Sequence, residues 1–246
     1  MRKIIYITMA NILISASLLS AQSVKVVYQE KLKMPANVHE LNNQAIASAV
    51  EAQLSKMNKT MVLYYDKGKS FFEQLSGSSS QNNAQVDFQS NINIKTTQVG
   101  SGGSYYKDQK KNESVSQEYI MDKEFLITEP LSSEWKLLSE EKKVVNYLCK
   151  KAVNEQGIIA WYCPDIPIND GPYLYQGLPG LILEVETPIK TITMQSIELD
   201  AKITNNKILP PKTGRKVSRN EFSKMKEKKN QELGVTGGKG ISVIKM

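Results

Sequence analysis

Alternating apolar and polar positions dominate this 246-residue chain, and they predict strands wherever large apolar residues gather. Val24, Val26 and Tyr28 share one face of an opening strand over 24–34, with Leu32 and Met34 in the same parity and Pro35 ending it. The period then changes. Over 43–57, Ile46, Ala49, Val50, Gln53, Leu54 and Met57 recur at helical spacing behind Asn42 or Asn43 as a cap, so a short amphipathic helix is expected. Thr60 to Tyr65 and Lys69 to Glu73 flank Asp66-Lys67-Gly68 and predict a β-hairpin. Residues 76–104 are rich in Ser, Gln, Asn and Gly. They read as a low-complexity insertion with too few apolar groups to repay ordering, holding at most a strand around Val86 to Ile94.

Tyr105-Tyr106-Lys107 resumes the strand pattern, Tyr119 to Leu126 reads as one strand or two short ones, and Trp135-Lys136-Leu137 precedes the clearest stretch. There, Val145, Tyr147, Cys149 and Val153 share one parity, and Ile159, Trp161 and Cys163 another. A hairpin turning at Glu155-Gln156-Gly157 sets Val153 against Ile159, Lys151 against Trp161 and Cys149 against Cys163. Opposed α-carbons lie about 4.5 or 5.5 Å apart, within disulfide range, so a Cys149–Cys163 bond is expected. A proline-rigid loop over 164–172 leads to Tyr173-Leu174-Tyr175-Gln176 and Gly177-Leu178-Pro179-Gly180, followed by strands over 181–186 and 191–199. Ser218 with Glu221 makes a capping box for a basic helical segment near 218–233, with Phe222, Met225 and Leu233 as its apolar stripe and Gly234 as its stop. The last residues, 237–246, are loose or add a late edge strand. The class is mainly β, or α+β: an antiparallel sheet with one or two short helices.

The amino terminus changes the setting of this domain. Arg2 and Lys3 precede an apolar run from Ile4 to Leu19, and Ser20-Ala21-Gln22 offers a cleavage point, so residues 1–21 are expected to be a signal peptide and 22–246 a single β-rich domain. Leu19 departs from the small residue usual at its position. The run is shorter than the ~20 residues of a spanning helix and contains Asn11, and no later segment reaches that length. A periplasmic or extracellular location follows as the expectation, with peripheral attachment to the outer membrane open. Net charge falls from +7 to +5 once Arg2 and Lys3 leave, and the remaining excess is densest over 212–229. In an exported chain that run reads as a solvated helix face, and nucleic acid is not an expected partner. Two cysteines and one histidine do not make a structural zinc site, and no cofactor is expected.

Tyr173 to Glu186, YLYQGLPGLILEVE, resembles the signature of the GLPGLI proteins of Bacteroidota-type bacteria. Cys149-Lys150-Lys151-Ala152, Ala160-Trp161-Tyr162, Ile166-Pro167 and Gly171-Pro172 resemble the block before it. The resemblance is specific over about 140–190 and weaker back to the Val62 to Phe72 hairpin and on through the Phe222 helix. It implies a secreted or periplasmic protein of uncharacterised function and carries over no catalytic residues. The strand-rich core also resembles, more remotely, periplasmic half-barrels that shield an apolar ligand or lipoprotein acyl chains, and a half-barrel is the form of sheet that this likeness implies. Cys163 departs from the pattern, in which threonine or a similar residue often follows the Trp-Tyr pair.

Candidate chemistry is sparse. Gly177, Leu178, Pro179, Gly180, Leu181 and Ile182 read as a structural turn and strand, without the spacing of a phosphate loop. Glu184 and Glu186, with Asp165 or Asp170, are the carboxylates a glycoside hydrolase would need. His39 lies in a polar loop with no nucleophile motif, and Cys149 has no base nearby in sequence. Trp161, Tyr162, Tyr173 and Tyr175 could line a groove for lipid, peptide or sugar, against the simpler reading that they fill a core. The expected function is therefore a noncatalytic envelope protein binding an apolar ligand, a peptide or another envelope protein. An acidic-residue hydrolase and a structural interaction module are the alternatives.

Overall fold

The structure, a computed structural model, describes residues 23–34, 43–75, 83–88, 92–97, 102–132, 134–204, 206–232 and 241–245. Residues 1–22, which include the expected signal segment, and Pro35, His39 and the expected Leu233-Gly234 helix stop lie outside the described residues.

Strand β1 (Val24–Leu32) lies between β2 (Lys59–Asp66) and β13 (Lys190–Leu199), antiparallel to both. The predicted hairpin joins β2 to β3 (Lys69–Gln74) through Lys67 and Gly68, at φ of 49° and 85°. Two left-handed residues give a turn whose twist matches that of the strands it joins. Beyond β3 come β6 (Gly103–Asp108), β7 (Glu113–Ile120), β8 (Lys123–Pro130) and the short parallel β14 (Arg215–Lys216). On the other side β13 leads to β12 (Leu181–Glu186), β11 (Ile159–Cys163), β10 (Tyr147–Val153) and β9 (Lys136–Val144). The result is a 12-stranded sheet, β14-β8-β7-β6-β3-β2-β1-β13-β12-β11-β10-β9, that is not closed into a barrel. Within the expected insertion, β4 (Asn83–Phe88) and β5 (Ile92–Thr97) pair, and β15 (Ile241–Lys245) adds to β5 as the late edge, making a second sheet.

Helix α1 (Gln44–Lys56) begins where the period changed, with Asn43 Oδ1 accepting from the Ala45 and Ile46 amides at 3.1 and 3.2 Å. Helix α2 (Arg219–Glu232) has the predicted capping box: the Ser218 amide donates to Glu221 at 2.8 Å, and the Glu221 amide to Ser218 Oγ at 3.2 Å. Phe222 packs edge-on against Phe125 at 5.5 Å, beside Ile120 and Ile127, and holds α2 on β8.

One face of the sheet carries the main core. Val26 opposes Leu63, and Leu63 opposes Phe72, which opposes Tyr105 across β1, β2, β3 and β6. The 164–180 segment covers this face. Tyr173 stacks on Phe72 and Tyr105 at 4.8 and 4.9 Å between centroids, and Leu178 is buried with the cluster. Gly171 and Gly180 allow this close approach. A Cβ at Gly171 would stand 2.7 Å from that of Ile182, and one at Gly180 only 2.2 Å from the Cys163 carbonyl oxygen.

The β10–β11 register is the one expected, Val153 with Ile159, Lys151 with Trp161 and Lys150 with Tyr162. The expected disulfide is absent: Cys149 and Cys163 are free, buried thiols. The regular pairing ends at Lys150–Tyr162, beside a bulge in the β11–β12 register, and Cys149 Sγ donates instead to the Tyr147 carbonyl at 3.6 Å. Burial, then the neighbouring Cys163, pushes the Cys149 thiol up to about 12, and burial raises Cys163 as well. Such thiols are poor nucleophiles at neutral pH.

Candidate functional site

The covered face is not wholly apolar. Glu30 follows Val24, Val26 and Tyr28 in parity on β1, and its partner across β2 is Lys59, in parity with Met61, Leu63 and Tyr65. Both are buried, at 3% and 4% exposure. Lys190, at the start of β13, donates to Glu30 at 2.8 Å and to the Tyr173 hydroxyl at 2.9 Å, while that hydroxyl donates to Glu30. Burial alone would raise the Glu30 carboxyl. Lys190, the Tyr173 hydroxyl and Lys59 together outweigh it and hold the group below its ordinary value. Tyr173 sits at φ +54°, a left-handed backbone rare for a bulky residue, so the Glu30–Lys190 clasp and the aromatic stack fix it there against local strain.

A second anchor fixes the same segment from the side. Lys107 and Asp170 form a fully buried ion pair, and Lys107 also donates to the Gly171 carbonyl at 2.7 Å. A third group comes from α2. Arg219 bonds Glu118 and Glu129 at 2.6 Å each and Ser116 at 3.1 Å, joining the helix to β7 and β8.

These anchors frame a cleft of about 620 Å³ lined by Tyr105, Trp135, Tyr173, Leu174, Tyr175, Lys190 and Arg219, among others. That is the size of a small-molecule site. Trp135 and Tyr175 form one wall, their rings 6.2 Å apart, with Trp135 Nε1 donating to the Gln176 carbonyl at 2.8 Å. Their remaining faces and the carboxylates and cations opposite provide stacking and hydrogen bonding together. Glu134 and Glu155 also line this cleft.

Of the four aromatic residues singled out in the sequence, Tyr173 and Tyr175 line this cleft and Trp161 and Tyr162 do not. Trp161 instead lies under Lys142, 4.3 Å from its ring centroid, and donates to Glu186 at 2.8 Å, and both Trp161 and Tyr162 belong to the main core. The carboxylates considered for hydrolysis are likewise dispersed. Glu184 and Glu186 share Lys142, at 2.5 and 3.2 Å, and Asp170 is sealed against Lys107. Gly177 to Ile182 form the turn and strand that seat the covering segment, with Leu181 and Ile182 fully buried. Among the described residues, no group of three or more His, Cys, Asp or Glu is placed to hold a metal ion. No described helix is long and apolar enough to cross a membrane.

The sequence reading did not single out Glu30, Lys59, Lys190, Arg219 or Tyr105, and used Trp135 only as a landmark. For Glu30 and Lys59 a signal existed: each is the one charge in an otherwise apolar parity.

The profile of a family described as "Protein of unknown function (Porph_ging)" matches residues 153–184, which take in β11, the covering segment and most of β12. No curated protein matches the chain. Similar solved structures include "Structure of PNGF-II in P21 space group" and "Structure of PNGF-II in C2 space group", with TM-scores of 0.52 and 0.51 and 15% identity. Each likeness covers 85% of this chain and 34% of the other, so the chain spans about a third of the length of those proteins. At that identity the likeness concerns the fold alone.

Proposed function

We propose that this chain is a noncatalytic binding module that holds a small ligand in the Trp135–Tyr175 cleft. The observation that carries the reading is the effort made to build that wall. A segment with a left-handed tyrosine is pinned from two sides, by Lys107–Asp170 and by Glu30–Lys190, and its outer aromatic side is left facing open space. Groups that were only core would be packed over. The half-polar lining favours a ligand with an apolar or aromatic body and polar substituents over a wholly apolar cargo. Two of the acids lining the cleft, Glu118 and Glu129, are taken up by Arg219, which suits binding better than hydrolysis by that pair.

Membership of the GLPGLI group, export and an envelope location belong to this proposal, supported by the Tyr173 to Glu186 signature and the amino-terminal pattern.

The test of function is native mass spectrometry of protein recovered from its own cells, followed by identification of released small molecules. A copurifying ligand on the native chain, lost in Trp135→Ala and Tyr175→Ala, is the expected result. Equal loading of native and variant chains would overturn the site.

A further inference from the structure

Behind the main cleft lies a smaller space of about 90 Å³, and the two share Tyr105, Glu118, Tyr173 and Lys190 as walls. Lys59, Lys226 and Glu30 are among its other walls. Lys59 projects from β2 and is only 4% exposed. Lys226 comes from α2, seven residues after Arg219 and four after Phe222, and so lies on the helix face that Phe222 docks on the sheet.

The charges here do not balance locally. Glu30 is engaged by Lys190 and Tyr173, and Glu118 by Arg219. Among the described residues, no hydrogen bond or ion pair holds the amine of Lys59 or of Lys226. Glu30 attracts Lys59 through space and Glu118 attracts Lys226, but burial is the larger influence and lowers both amines, with Lys190 repelling each. A buried ammonium without a partner is costly, and an arriving anion removes that cost. Against about 620 Å³ for the main cleft, a space of about 90 Å³ has room for a head group and too little for the body of a ligand.

We infer that this pocket takes the anionic head, a phosphate, sulfonate or carboxylate, of a ligand whose apolar or aromatic body lies along Trp135 and Tyr175. The inference rests on the binding role proposed above for the same cleft and adds the ligand's charge. Lys59 and Lys226 bind the head, and Tyr105 and Tyr173 mark the passage between head and body.

The experiment compares two probes with one body, anilinonaphthalene sulfonate and its uncharged parent phenylnaphthylamine, on the full chain. Both are expected to bind, the sulfonate at least about tenfold tighter, the scale of one charge-assisted hydrogen bond. Lys59→Met and Lys226→Met should each remove most of that advantage and leave the uncharged probe unaffected. Lys226, on the helix and only partly buried, guards against a folding defect at buried Lys59. If neither probe binds, the cleft itself is misassigned. If the uncharged probe binds and the sulfonate gains nothing, or if neither lysine variant changes the ratio, the head-group pocket alone is wrong. Inorganic phosphate should displace the sulfonate only at much higher concentration. Displacement at equal concentration, unchanged in Trp135→Ala, would point to a free anion and overturn the assignment of an amphipathic ligand.

Discussion

Replacing Asp170 by asparagine tests how the covering segment is held. The side chain keeps its size and loses its charge, while Lys107, fully buried, keeps an ammonium with no counter-ion. Asp170 Oδ1 also accepts from the Gly171 amide at 2.6 Å, a contact the amide oxygen of asparagine can retain, so the change isolates the charge. Breaking a buried pair from one side costs about 3–5 kcal/mol. For a chain of this size that is a fall of about 6–20 °C in Tm. The loss should depend on pH with a definite sign. Burial already lowers the Lys107 pKa from 10.5, and Asp170 is what opposes it. Without Asp170 the folded pKa falls further below the unfolded value. The folded state then binds fewer protons than the unfolded one, and stability recovers as pH rises toward 10.5. Thermal and urea unfolding of the native chain, Asp170→Asn, Lys107→Met and the double variant, from neutral to alkaline pH, measures this. The double variant should recover most of the loss. A loss below about 1 kcal/mol that is flat with pH, or a double variant no better than the sum of the singles, would refute the reasoning.

Two further outcomes follow from the same groups. Arg219→Ala removes the bonds from α2 to Glu118, Glu129 and Ser116; because its side chain is 34% exposed, the expected loss is only about 1–2 kcal/mol, concentrated in faster hydrogen exchange over α2, and unchanged protection there would count against the anchor. Tyr28 and Tyr105 are buried, Tyr173 is partly buried, and all three ionise well above 10.0, chiefly because burial disfavours the phenolate. The unfolded chain therefore loses these protons first, and stability should fall above pH 10.0 at up to about 4 kcal/mol per pH unit, past the range where the lysines compensate; a flat alkaline limb would contradict their burial.

Much of the fold was legible because its signals are local. Asn43, the Lys67-Gly68 turn and the Ser218–Glu221 box each act within a few residues, and the structure uses each as read. Strand β9 was missed because Glu140-Glu141-Lys142-Lys143 carries no apolar alternation. It is an edge strand, where charge protects against unwanted pairing. The site was harder to read. Tyr173 and Tyr175 were singled out, but their partners arrive through long-range pairing: Lys190 reaches Glu30 across 160 residues and Arg219 reaches Glu118 across 101. No local pattern announces that β1 lies beside β13. Conversely, grouping Trp161 with Tyr173 rested on nearness in sequence, and the strand directs Trp161 to Lys142 and Glu186 instead.

The claim that the Trp135–Tyr175 wall is a binding surface is tested most directly by fluorescence. The chain has two tryptophans, and Trp161 lies outside the cleft, so Trp161→Phe leaves Trp135 as the reporter. Titration with phenylnaphthylamine is expected to quench Trp135 saturably by energy transfer, and Tyr175→Ala should weaken that binding. Quenching that never saturates, or the same affinity in Tyr175→Ala, would contradict the account.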